Sequence, residues 1–282
     1  MKATTVVVSC VLALAVASAP AWAAGSASQP ASVGPVAATQ PATLVPGGVA
    51  DLAGKILYVE GADGKVEAVN AADGQTLWVT ADACVPLIAS ADRALVRVAN
   101  KDKPNQFSVR LLDATRKGEL IRQSKPVELP EWVVMTNGLG KSFSSACELA
   151  GNQLRIRWQA STQYWGGAAP SPEIERNANK SAVGVATIQL DSGDVDVKIQ
   201  LNRGDVDVRE DPGPRADWKA LPEPPEEATL AGRTLSLVET PASRAFGRVN
   251  RVLKCTDPKT QTVLWQHDLG SRFDASRLPP PP

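Results

Sequence analysis

The residues with which this chain would do chemistry are scarce or awkwardly spaced. The single histidine, His267, leaves one base for a serine or cysteine nucleophile and too few imidazoles for a His-rich zinc site. No Cys-x-x-Cys spacing occurs, which removes thioredoxin-like and zinc-ribbon chemistry. Neither GxxxxGK nor GxGxxG is present, so no phosphate-cradling loop is expected. Asp191, Asp194, Asp196, Asp205 and Asp207 gather around two GDVDV segments that start at Gly193 and Gly204. Carboxylates at that density suit calcium, yet alternation puts Asp194 and Asp196 on one face and Val195 and Val197 on the other. That is the pattern of a solvated hairpin. No catalytic set, no metal and no cofactor is expected.

One segment has the composition of a binding loop. Between Arg155 and Arg176 the chain places Trp158, Tyr164 and Trp165 close together, with Arg155 and Arg157 nearby and Gly166-Gly167 allowing an irregular turn. Ser171-Pro172-Glu173 reads as an N-cap, a first-turn proline and an acidic first turn of a short helix running to about Lys180. Two readings stand side by side. The aromatics form a platform for a sugar ring, a peptide or a partner protein, or Trp158 faces the core while the loop packs over its strand.

The 30 basic and 30 acidic residues balance, which removes the electrostatic case for nucleic-acid binding. Lys2, an apolar run from Thr5 to Ala19 and the small-x-small site Ala21-Trp22-Ala23 read as a signal peptide over residues 1–23. The expectation is an exported chain, periplasmic or secreted, with no membrane span after cleavage. Residues 24–50 are rich in Ala, Ser and Pro and uncharged, and are expected to be a disordered leader.

The elements that must position any site are short. Ile56–Val59, Val66–Val69 and Thr76–Val79 are alternating runs separated by Gly61-Ala62-Asp63-Gly64 and Ala72-Asp73-Gly74, that is, strands joined by tight turns. The stretch Val66–Trp78 recurs at Leu253–Trp265, with weaker copies starting at Val109 and Val185. Asn70, Asp113, Gln189 and Asp257 then become equivalent, 43, 76 and 68 residues apart. The two longer intervals fit inserts at Gln163–Lys180 and Asp211–Glu227. A sheet of this size cannot bury both faces alone, so neighbours must stack on it.

The pattern apolar-x-Ala-apolar-Asn/Asp, then Gly, then Leu-Trp, resembles the repeat of quinoprotein-type β-propellers, the PQQ-like repeats. The resemblance implies an all-β fold of about four four-stranded blades, closed or partial, over residues 51–276, with a Pro-rich tail at 277–282. It makes Asn70, Gly74, Trp78, Asp257 and Trp265 structural repeat residues. Quinoprotein enzymes carry an adjacent cysteine pair that this chain lacks, so no cofactor residue is transferred. The expected function is an exported, non-catalytic module that binds another envelope protein or assembles with itself. The alternative is a ligand- or carbohydrate-binding protein, or an enzyme, using the 155–176 loop.

Cleavage after Ala23 would remove Cys10 and leave Cys84, Cys147 and Cys255. Cys84 and Cys147 are expected to open the first strands of adjacent blades. A Cys84–Cys147 bridge and free thiols both remain open on that placement, since adjacent blades approach within bridging distance only near the ring axis. Cys255 takes the place of Ala68 and is expected to be buried.

Overall fold

A computed structural model of the chain describes residues 39–135, 141–162, 180–202, 225–242 and 248–273. These residues form strands, turns and loops arranged as four antiparallel sheets. Blade I is β2 (Thr43–Val45), β3 (Gly48–Ala50), β4 (Ile56–Glu60), β5 (Lys65–Asn70) and β6 (Thr76–Ala83), paired in that order. Blade II is β7 (Val85–Ala89), β8 (Arg93–Ala99) and β9 (Gln106–Asp113), with β10 (Glu119–Gln123) and β11 (Val127–Glu128) sharing the far edge of β9. Blade III starts with β1 (Thr39–Pro41) and continues through β12 (Lys141–Ala150), β13 (Gln153–Thr162), β14 (Ser181–Gln189) and β15 (Val195–Asn202). Blade IV is β16 (Glu227–Leu230), β17 (Arg233–Pro241), β18 (Arg248–Thr256) and β19 (Val263–Phe273). The described residues have the all-β fold expected from the repeats, in four antiparallel sheets of four or five strands.

The repeat builds each blade through one turn. Gly74, Gly118, Gly193 and Gln261 each donate a backbone N–H to the carbonyl of Asn70, Asp113, Gln189 and Asp257, at 2.7 to 2.9 Å. All four take a left-handed φ between 57° and 77°. At three of the turns the opening side chain caps its own loop: Asn70 Oδ1 accepts from Ala72 N, Asp113 Oδ1 from Thr115 N, and Asp257 Oδ1 from Lys259 N. The pairing across the strands follows as well. Ala68 lies opposite Trp78 and Cys255 opposite Trp265, and both small residues are fully buried.

Three seams hold the blades together. Tyr58, Val66, Ala68 and Trp78 of blade I pack against Ala94, Val96 and Leu112 of blade II. Phe107, Val109 and Leu111 of blade II meet Leu154, Ile156, Trp158 and Ile188 of blade III. Leu57, Val59 and Val69 of blade I meet Leu235, Leu253, Cys255, Trp265 and Leu269 of blade IV. Each fully buried side chain of this size contributes roughly 1.5–3 kcal/mol. Among the described residues no core cluster joins blades III and IV.

Two boundaries differ from the sequence reading. Thr39–Ala50, expected within the leader, forms β1, β2 and β3, with Val45, Val49 and Ala50 buried. Runs of three residues carry no usable alternation, and these take their stability from the longer strands they pair with. Cys147 sits within β12 and does not open it, because β12 and β13 form a hairpin of two ten-residue strands whose turn lies at Gly151 and Asn152. The helix expected over 171–180 falls outside the described residues, apart from Lys180.

Candidate functional site

The strand that was expected to present a binding platform divides its residues between two faces. In β13, Leu154, Ile156, Trp158 and Ala160 point into the core shared with blade II, whereas Arg155, Arg157 and Gln159 alternate onto the opposite face. Trp158 is completely buried, stacks on Phe143 at 6.5 Å and lies over Gly184, where a Cβ would come within 2.4 Å of the ring. Arg155 reaches Glu148 across the hairpin at 3.8 Å. Arg155 and Arg157 therefore share a face that Trp158 does not. Tyr164 and Trp165 lie outside the described residues.

The repeat tryptophans dock one blade on the next. Trp265 of blade IV lies on the turn of blade I, and a Cβ at Gly74 would sit 2.7 Å from its ring. Its indole N–H donates to the carbonyl of Ala71 at 3.1 Å. Beside it Arg233 donates to the carbonyls of Ala71 and Ala72, and His267 bridges the carbonyl of Gly74 and the carboxylate of Glu67 at 3.2 and 3.0 Å. Trp78 of blade I repeats the contact on Gly118 of blade II, again at 2.7 Å, but its indole nitrogen is buried with no partner. Only residues without a side chain can hold these two turns, since a left-handed φ and an aromatic face coincide there. At the next seam Ile121 stands at the tryptophan position. The turn at Gly193 meets the backbone of Gln123 and Ser124 instead, and Lys125 N–H donates to the Gly193 carbonyl at 2.9 Å.

The same outer strands present apolar side chains outward. Leu77 and Val79 flank Trp78 on β6, Leu120 and Ile121 lie on β10, and Val263 and Leu264 precede Trp265 on β19, each exposed by 45–50%. β6, β10 and β19 are sheet edges, so among the described residues their outward backbone groups have no partner strand. The sequence contained part of this signal, because leucine precedes tryptophan in both strong copies of the repeat, but the alternation did not say which side faced water.

Burial pushes the thiols of Cys84 and Cys255 up, and that of Cys147 to about 12. All three are free, with Cys84 in the I–II core and Cys147 against the II–III core. Tyr58 is pushed up by burial and its hydroxyl has no hydrogen-bond partner. The Asp194 carboxyl is held below its ordinary range first by the hydrogen bond from Lys125 at 2.6 Å, and by the Ser192 hydroxyl. Asp194 thus faces a cation of blade II, Asp191 is exposed, and Asp205 and Asp207 lie outside the described residues. Among the described residues no three His, Cys, Asp or Glu side chains gather in a metal-binding group. No helix among them is long and apolar enough to cross a membrane.

No protein-family model matches the chain, and no curated protein matches it. Solved structures to which it is similar have low identity to it. BamB from Moraxella catarrhalis is 15% identical over 77% of this chain and 62% of its own length, with a TM-score of 0.30. The WD40 domain of SCAP from fission yeast is 10% identical over 85% of this chain and 53% of that one, with a TM-score of 0.26. Hsv2 from Kluyvelomyces marxianus is 8% identical over 78% and 82%, with a TM-score of 0.21. The chain thus spans less than two thirds of the BamB and SCAP chains that it matches.

Proposed function

We propose that the chain is an exported, non-catalytic β-propeller that binds proteins of the cell envelope through the outer strands of its blades. The observation that carries this reading is the recurrence of an exposed leucine at one place in three blades, Leu77, Leu120 and Leu264, each with a second exposed apolar residue near it on the same strand, Val79, Ile121 and Val263. Single exposed leucines are ordinary on soluble proteins. Repetition on free sheet edges is not, because an edge offers unpaired N–H and C=O groups to an extended segment of a partner. The rigid seams fix the spacing between these edges, which is what a scaffold requires.

The residue types of the first 23 positions support export, and the lone His267 is engaged in a blade seam, which supports a structural role for it. The test is cross-linking of the exported chain in cells, followed by mass spectrometry, with Leu77→Lys, Ile121→Lys and Val263→Lys variants. The reading expects one defined set of cross-linked proteins, or one oligomer, that is lost in at least one variant of unchanged thermal stability. Identical cross-links in all three variants would contradict it, as would a mature N-terminus that does not begin near Ala24.

A further inference from the structure

Arg97 is a charge without a counter-charge among the described residues. It lies on β8 one alternation after Leu95, and so points into the seam with blade III. Its guanidinium carbon stands 5.1 Å from the centre of the Phe143 ring and 6.0 Å from that of Phe107. One N–H donates to Ser145 Oγ at 3.3 Å, and this is its single hydrogen bond among the described residues. No carboxylate there comes within ion-pairing distance, although that of Glu60 acts on it from farther off. The phenyl rings attract the cation but supply no oxygen acceptor, so most of its five N–H donors are unclaimed.

Arg97, Ser145 and Cys147 are each half-buried, so water touches them. Burial is nevertheless the largest influence on both Arg97 and Cys147, lowering the first and raising the second. Ser145 and Cys147 share a face of β12, and β12 lies against β7, so all three side chains sit in the seam between blades II and III. Arg251, which is fully buried, differs: its Nη2 donates to the Glu60 carbonyl at 3.0 Å, and the carboxylates of Glu60 and Glu239 act on it against burial and the neighbouring Arg272.

We propose that this half-buried place in the seam binds a carboxylate, with Arg97 as the anion-binding residue and Ser145 as the second donor. A planar guanidinium presents parallel N–H bonds that match two carboxylate oxygens. Ser145 Oγ accepts from Arg97, which leaves its own hydrogen free to donate to the same anion. One positive charge, with Glu60 in the background, suits a monoanion and disfavours a phosphate dianion. The Phe107 and Phe143 rings beside the guanidinium are apolar neighbours, which fit a short aliphatic acid.

The experiment is a nitrogen-detected NMR titration of the arginine side chains of the full chain with sodium propionate, against sodium chloride at equal concentration. A capped Gly-Glu-Gly peptide carries the same group on a main chain and is the second probe. The expected result is a saturable shift of the Arg97 Nε signal with propionate and none with chloride. Saturation by the peptide as well assigns the carboxylate to a partner's side chain, and saturation by propionate alone assigns it to a free acid. Arg97→Lys, which keeps the charge but not the fork, should bind roughly ten-fold more weakly, the loss expected for one charge-assisted hydrogen bond. Ser145→Ala should weaken binding several-fold. The proposal is overturned if neither carboxylate saturates, if chloride acts equally, or if Arg97→Lys titrates like the unchanged protein.

Discussion

Trp265 and Trp78 occupy equivalent positions in adjacent blades, yet the two seams they close are unequal. Both rings lie at the same distance from a left-handed glycine of the neighbouring blade. Around Trp265 every polar group found is answered: its indole N–H, Arg233 and His267 all bond to the 67–74 segment of blade I. Around Trp78 the indole nitrogen and the Tyr58 hydroxyl are both buried without partners, with the rings 5.8 Å apart. The difference separates two contributions that usually travel together. Ring burial on a turn is common to both seams, whereas polar satisfaction belongs to one.

The largest expected effect is common to both. Trp265→Ala and Trp78→Ala should each destabilise the chain by about 3–5 kcal/mol in urea unfolding, the range for removing a buried aromatic. Trp265→Ala should lie at the upper end, because it also removes the indole hydrogen bond to the Ala71 carbonyl, which then keeps only Arg233.

Phenylalanine substitutions sharpen the contrast. Trp265→Phe loses a hydrogen bond worth about 1 kcal/mol beyond the lost area, while Trp78→Phe removes an unanswered N–H and carries no such loss. Unfolding midpoints should therefore fall further for Trp265→Phe. Equal falls would mean that the indole bond to Ala71 contributes nothing.

The smallest effect lies at the II–III seam, where an exposed ion pair stands in place of a tryptophan. Asp194 is held below its ordinary pKa by Lys125, so its contribution is present above the unfolded value of about 3.9 and is lost as pH falls through the lowered one. Thermal melts of Asp194→Asn and the unchanged protein should differ slightly at pH 6, converge towards pH 3, and converge in high salt. A difference that persists at low pH would remove the ion pair from the account.

Much of this was readable from residues alone, for identifiable reasons. The Asn70/Gly74/Trp78 spacing encodes one turn and one docking contact, and such local devices repeat in sequence as they repeat in space. The burial of Cys255 followed from its alignment with Ala68. The inner strands were not legible, since Thr43–Val45 and Gly48–Ala50 are stable only as additions to longer neighbours. The site was less legible still. Trp158 and Arg157 are adjacent in sequence and therefore on opposite faces, so proximity along the chain suggested a platform that the pleat divides. Arg97 gave no signal beyond one charge in the apolar run Ala94–Val98, because what singles it out is that no described carboxylate of a neighbouring blade pairs with it.

The central claim is that blades are held by an aromatic ring seated on a turn that has no side chain. Gly74 and Gly232 share a φ of 74°, but a Cβ at Gly74 would meet the Trp265 ring at 2.7 Å and one at Gly232 would meet nothing within 4 Å. Alanine at either position carries the same backbone strain, of order 1 kcal/mol. Only Gly74→Ala must also displace the ring, at a further cost of about 1–3 kcal/mol. The direct measurement is the unfolding free energy of both variants in one urea series. The account predicts that Gly74→Ala is less stable than Gly232→Ala by at least about 1 kcal/mol; equal losses would contradict it.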